Sequence, residues 1–150
     1  MAMSNDFAAA LAKLIFQGTA IAGIASNATA APKDRLYMAL HTGNPGAAGK
    51  QSVSELAYPE YARVEVMRTA GGWSIVGNVV RPVAPVEFPG MVTNVGGGNV
   101  THFTVGELAA GAGMVYMRGT VTPNLNVGWG DTPRLLNSTT LTLVTDDDGV

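Results

Sequence analysis

Two histidines, His41 and His102, are the side chains in this chain best suited to proton transfer or metal binding at neutral pH. A zinc or hydrolytic site usually needs about three protein ligands, or a nucleophile beside an oriented base. Carboxylates would have to complete such a set, and no metal-ligand spacing joins any of them to either histidine. Both are expected to be sheet residues making ordinary hydrogen bonds. Asp146-Asp147-Asp148 suggests calcium at first sight, but an EF-hand loop spreads its oxygens over about twelve residues, with an interior glycine and a closing glutamate. A solvated acidic tail explains the run better. Gly96-Gly97-Gly98 and Gly111-Ala112-Gly113 lack the Gly-Lys-Ser/Thr ending of a phosphate loop, and no helical pattern follows either. They read as loop tips. There is no cysteine, so disulfides, thiolate metal sites and cysteine nucleophiles are excluded. The chain is therefore expected to be no enzyme, with no catalytic residue, metal site or cofactor.

The aromatic residues offer a different chemistry. Trp73, Trp129, Tyr58 and Tyr61 could form a carbohydrate platform. Trp73 follows a turn signal and reads as core or a sheet cap. Trp129, between glycines in a loop, is the better exposed contact, and a protein neighbour suits it better than a sugar.

The elements that must position these residues are mostly short strands. Nineteen glycines and eight prolines in 150 residues call for many turns. Residues 36–41 are the first convincing strand: Leu36, Met38 and Leu40 point to one face, Tyr37, Ala39 and His41 to the other. A long loop over residues 42–58 follows. In residues 61–68, Val64 and Val66 face in while Arg63, Glu65 and Met67 face out. Ala70-Gly71-Gly72 predicts a hairpin turn into a strand from Trp73. Prolines 82 and 85 confine the next strand to an edge or a bulge, with Val86 and Phe88 as core. Strands are expected over residues 100–105, 114–122 and 139–145, with a second long loop over residues 123–133. Seven or eight short strands at regular spacing give an all-β, antiparallel, jelly-roll-like sandwich over residues 33–150.

Residues 1–32 differ in character. Residues 1–17 read as an amphipathic helix, capped by Ser4 or Asn5 and ended at Gly18, with Phe7, Leu11, Leu14 and Ile15 in one stripe. The stripe either covers the domain's own sheet or docks on a neighbouring subunit. Residues 18–32, rich in Ala, Gly, Thr, Ser and Asn, read as an extended linker. A signal peptide is not expected, because Asp6 stands where a basic start belongs and Lys13 and Gln17-Gly18 interrupt the apolar run.

Composition narrows the partners. Charged residues make up only 13% of the chain, about half the usual share, and apolar ones 47%. A surface so poor in charge tends to be covered by other proteins. A net charge of −2 provides no basic footprint for nucleic acid, and no apolar run reaches the ~20 residues of a membrane-spanning helix.

Several of these landmarks together resemble a family of small structural proteins from tailed bacteriophages. They are Ser4-Asn5-Asp6-Phe7, Ile15-Phe16-Gln17-Gly18, Leu36-Tyr37-Met38-Ala39-Leu40-His41-Thr42 with Asn44-Pro45-Gly46, Glu55-Leu56-Ala57-Tyr58, Tyr61-Ala62-Arg63-Val64, Gly71-Gly72-Trp73 and Val100-Thr101-His102-Phe103. Glu60 stands where members often carry glycine. Similar proteins are known as tail-fibre proteins, and comparable small sandwiches serve as capsid cement or decoration proteins. The resemblance implies a virion structural protein made in the host cytoplasm and working as a dimer or trimer. The first expectation is a cement protein on the outer capsid surface, bridging neighbouring major capsid protein subunits. The alternative is a tail or tail-fibre component bound to tail proteins, and a carbohydrate-binding module ranks behind both. Phe7, Leu11, Leu14, Ile15 and Trp129 are the candidate partner contacts.

Overall fold

A computed structural model of the protein describes residues 2–7, 9–11, 19–24, 33–76 and 79–142. Regular structure among them is almost entirely antiparallel β: β1 (Ala2–Met3), β2 (Arg35–His41), β3 (Val64–Met67), β4 (Trp73–Val76), β5 (Val79–Pro82), β6 (Val86–Glu87), β7 (Gly98–Gly106), β8 (Val115–Val127), β9 (Arg134–Leu135) and β10 (Leu141–Thr142). One sheet has the order β1–β8–β7–β2–β3, a second the order β10–β5–β4, and β6 pairs with β9. The expected all-β sandwich is what the chain builds.

Strand β2 lies between β3 and β7, and its alternation works as the sequence suggests. Met38 and Leu40 enter the core with Val100, Phe103 and Val105 of β7, Val86 and Phe88, Leu56, Met91, Leu135 and Leu141. Ala39 and His41, on the other face, are equally buried. The reason is the loop that follows, which folds back over that face. Thr42 N donates to Ser54 O (2.8 Å), Leu56 N to Leu40 O (2.8 Å), and His41 bridges to Glu55.

At the N-terminus, the chain begins as a strand on the edge of the large sheet, with Met3 opposite Met117 of β8. The expected helix follows over residues 5–7 and 9–11. Ser4 caps it: its Oγ accepts from Phe7 N (3.2 Å), and its hydroxyl donates to Val115 O. The rest of the expected helix, including Leu14 and Ile15, lies outside the described residues, as does the acidic tail.

Four local expectations fail for physical reasons. Arg63 is buried, because an ion pair compensates for its charge (below). Residues 70–72 do turn the chain, but β4 pairs with β5 in the other sheet rather than with β3, so this turn joins two sheets. A local turn signal does not say which sheet receives the strand. The strand from Val115 runs through Pro123 to Val127. Thr101 of β7 alone faces residues 121–124 there, and this bulge accommodates a residue without a backbone donor. Gly96 and Gly97, expected at a loose tip, have φ near +87° and +85° and sit tight on backbone. A Cβ there would overlap the carbonyl oxygens of Ala57 and Val127.

Gly119 lies directly opposite Phe103 across the β7–β8 pair, and the Phe103 ring covers it. A Cβ at Gly119 would stand 2.6 Å from the buried ring. Gly119→Ala is therefore expected to cost about 1–3 kcal/mol, read as a lower urea midpoint with unchanged m-value.

Candidate functional site

The two histidines face each other across β2 and β7 but in unlike settings. His41 Nδ1 lies 2.9 Å from Val53 O, and its Nε2 lies 2.9 Å from Thr104 Oγ1. A carbonyl only accepts, so Nδ1 carries the proton and Nε2 accepts from the Thr104 hydroxyl. Such a ring is neutral and fully used, with no lone pair left for a metal or a nucleophile's proton. Burial holds its pKa below the ordinary histidine value, against smaller opposing effects of the Val53 carbonyl and Glu55. The ring of His102, partly buried, lies 2.8 Å from the neighbouring Thr101 hydroxyl; desolvation and Arg118 lower its pKa. Among the described residues, no three His, Asp or Glu side chains gather as a metal site.

Beside His41 lies a polar lock that no sequence period announces. Arg63 donates from Nε to Glu55 Oε1 (2.7 Å) and from Nη2 to Glu55 Oε2 (2.7 Å), a two-pronged pair. Two further donors, on Nη1 and Nη2, reach Leu108 O (2.9 Å) and Gly111 O (2.7 Å). One guanidinium thus ties the loop over β2 to the turn between β7 and β8. Gln51, fully buried, adds a second tie: its N donates to Gly113 O (2.9 Å) and its Oε1 accepts from Leu108 N (2.8 Å). Only glycine fits at 106 and 113, where a Cβ would overlap the Gln51 side chain. Gly111-Ala112-Gly113 is the exposed tip the sequence suggests, with open space around Gly111, while Gly113 packs on Gln51.

The four aromatic residues do not assemble into a platform. Tyr58 is buried and donates its hydroxyl to Pro89 O; Tyr61 stacks on Phe88 (centroids 6.1 Å apart) and accepts from Leu40 N (2.9 Å). Trp73 packs against the core. Trp129 alone among these four stands in solvent, 69% exposed. Two more apolar side chains accompany it on the adjoining loop, Val92 (73% exposed) and Val95 (63%). Backbone bonds hold both loops rigid: Gly130 N to Met91 O (2.9 Å), Met91 N to Asp131 O (2.8 Å) and Gly97 N to Ala57 O (2.8 Å). Asp131 Oδ2 adds an acceptor for Gly128 N (2.8 Å). Glu60, at the glycine position of the resemblance, accepts from the Thr93 hydroxyl in the same region and so helps to hold this tip.

Of the other candidate contacts, Phe7 packs on the chain's own Tyr116, with centroids 5.0 Å apart, and Leu11 is half-buried. Asp6 pairs with Lys50, and Asn5 N donates to Ala47 O (2.6 Å), so the described part of the helix lies on its own domain. The sandwich is left open on one side. A cleft of about 570 Å³ between the sheets is lined by Leu36, Trp73, Ile75, Val80, Met117 and Leu141 among others.

Two measurements test the lock. Arg63→Ala strands the partly buried Glu55 carboxylate and two carbonyls, and is expected to cost about 3–5 kcal/mol. Arg63→Lys should recover only part of this, because an ammonium cannot reproduce the fork. For His41, the folded state holds the pKa down, so the unfolded chain binds the proton first. Stability is full above about pH 6.5 and falls as pH drops below it, by at most ~1.4 kcal/mol per pH unit for one proton. Urea unfolding at successive pH values should show this loss in the parent and a shallower one in His41→Gln.

No curated protein matches this chain. A family model does match, across residues 2–143, and its description is podophage GP4 fiber I protein gp80. That span takes in β1, the polar lock, the aromatic tip and β10. The chain therefore belongs to the family of the podophage GP4 fiber I protein gp80, a family of phage virion structural proteins.

Proposed function

We infer that this protein is a non-enzymatic fibre component of a phage tail, held to neighbouring tail proteins by exposed neutral surface. The observation that carries the reading is the exposed apolar trio of Trp129, Val92 and Val95 on loops held by backbone bonds. Three large apolar side chains held in solvent by backbone bonds cost stability in an isolated chain, and they become useful when a partner covers them. Preorganised loops lose little entropy on docking, and tryptophan is among the side chains that most often anchor an energetic hot spot. The family description, a fiber I protein, supports the fibre rather than the head.

The cement reading ranks second. It draws on the same neutral surface, with the major capsid protein as partner and added buried area between capsomers as the mechanism. The carbohydrate reading ranks third, since Trp129 is the one exposed ring of the four aromatic candidates and its neighbours Val92 and Val95 offer a sugar no hydrogen bonds.

Quantitative mass spectrometry of purified particles separates these readings by copy number against the major capsid protein. A few to dozens of copies supports the fibre, and hundreds would establish cement instead. Absence from particles, together with turnover of a small compound by the free chain, would overturn both. Trp129→Ala should leave the fold within about 0.5 kcal/mol of the parent, since the ring touches solvent. Its incorporation into particles should fall by roughly thirtyfold, the loss of a ~2 kcal/mol anchor.

A further inference from the structure

We propose that β4 is a self-association edge, and that two copies of this chain pair antiparallel through it about a two-fold axis at Ile75. The hydrogen-bond phase of the small sheet sets the geometry. Val83 N donates to Gly72 O (3.0 Å), which makes 72 and 83 a hydrogen-bonded pair. Bonded and non-bonded pairs alternate along an antiparallel ladder, so Ser74 with Arg81 is bonded, whereas Trp73 with Pro82 and Ile75 with Val80 are not. This phase places Pro82, without an N–H, where none is needed. It also turns the backbone groups of Trp73 and Ile75 away from β5, toward the open side of the sheet, where no described strand pairs with β4. Trp73 N already donates to Thr69 O (3.0 Å). Ile75 is thus the described residue of this edge that presents both a free N–H and a free C=O.

Among the described residues no lysine, proline or bulge guards this edge. Exposed edges are normally blunted by lysine, proline, a bulge or very short length. On the large sheet, β3 carries Glu65, paired with Arg35, and β1 is two residues long, as is β10 on the small sheet. β4 reads Trp-Ser-Ile-Val, with Ile75 67% and Val76 70% exposed. Ile75 also stands at the mouth of the open apolar cleft, above Trp73, whose buried Nε1 has no acceptor among the described residues.

A second copy is the occupant this edge fits, because antiparallel pairing of a strand with itself is isologous and closes at two. With the axis at Ile75, each Ile75 exchanges both bonds with its counterpart, and the two side chains meet on the cleft side. The area involved sets the strength. Four residues span only ~13 Å of edge, far less than the ~800 Å² per partner of a tight complex. Even with the cleft mouth added, a dimer with micromolar dissociation is expected.

This inference rests on the reading that the protein assembles through apolar surface, but it is tested on the isolated chain, so its failure leaves the virion copy number unaffected. Sedimentation velocity from low to high micromolar concentration should show a monomer–dimer equilibrium. Ile75→Lys should raise its dissociation constant at least tenfold with an unchanged circular dichroism spectrum. If that variant fails to fold, Val76→Glu serves the same purpose. The chain has no cysteine, so Ile75→Cys should give a disulfide dimer on mild oxidation, the counterpart Cα atoms being ~5.5 Å apart. Val92→Cys, on the distant tip, should not. A monomer at every concentration, a trimer, a dimer indifferent to Ile75→Lys, or cross-linking of Ile75→Cys only to another virion protein would each overturn the proposal.

Discussion

A charge buried among loops has to be matched donor by donor, and in this protein Arg63 meets that constraint for the whole outer side of the large sheet. Its guanidinium has one geometry that serves Glu55 with two prongs and still reaches the carbonyls of Leu108 and Gly111. The loop over β2 and the β7–β8 turn are thereby fixed to one point. His41 places both ring nitrogens, on Val53 O and Thr104 Oγ1, and Gln51 places its backbone N on Gly113 O and its Oε1 on Leu108 N, while its buried Nε2 has no partner among the described residues. Each buried polar group here depends on the others being in place, and such networks specify one arrangement more sharply than apolar packing alone.

The sequence showed the parts of this architecture that follow a period. β2, the inward valines of β3, and Val86 with Phe88 obey a two-residue alternation or flank turn residues, and burial confirms them. Trp129 was legible because glycines on both sides leave a large ring nothing local to pack on. Arg63 was not, since alternation assigns a charge to solvent, and its partner lies eight residues upstream across a loop. Gln51 and Thr104 carried no signal at all, because a buried hydrogen bond between segments far apart in sequence leaves no spacing to read. The partner of β4 was hidden for a related reason. Turn chemistry is local, whereas the choice of sheet is decided by packing. Leucine and isoleucine at 14 and 15 fall outside the described residues, so the docking stripe is anchored here only through Phe7 and Leu11.

How the chain uses its few charges explains its surface. Lys33 pairs with Glu107, Arg35 with Asp34 and Glu65, Lys50 with Asp6, Arg63 with Glu55, and Arg134 with Glu87. Arg68 reaches the carbonyls of Gly23, Ile24 and Lys33, holding the residues that lead into β2. Of these pairs only Arg63–Glu55 is buried, and the others tie loops and arms together at the surface. The most exposed side chains of the aromatic tip and the β4 edge, Trp129, Val92, Val95, Ile75 and Val76, are apolar.

That division has a consequence for how such a protein finds its place. Without a charged field there is little long-range steering, so encounter proceeds at ordinary diffusional rates and depends weakly on salt. Selectivity must then come from shape and from which apolar atoms are held where. Loose loops would serve poorly, because an unsteered encounter that also had to order its contact surface would lose on both counts. The backbone-to-backbone bonds of residues 91–97 and 127–131 are the physical complement of a contact made through apolar side chains. The polar lock supplies the same service on the far side of β2, so a sheet only a few residues wide can present apolar groups to solvent without collapsing around them.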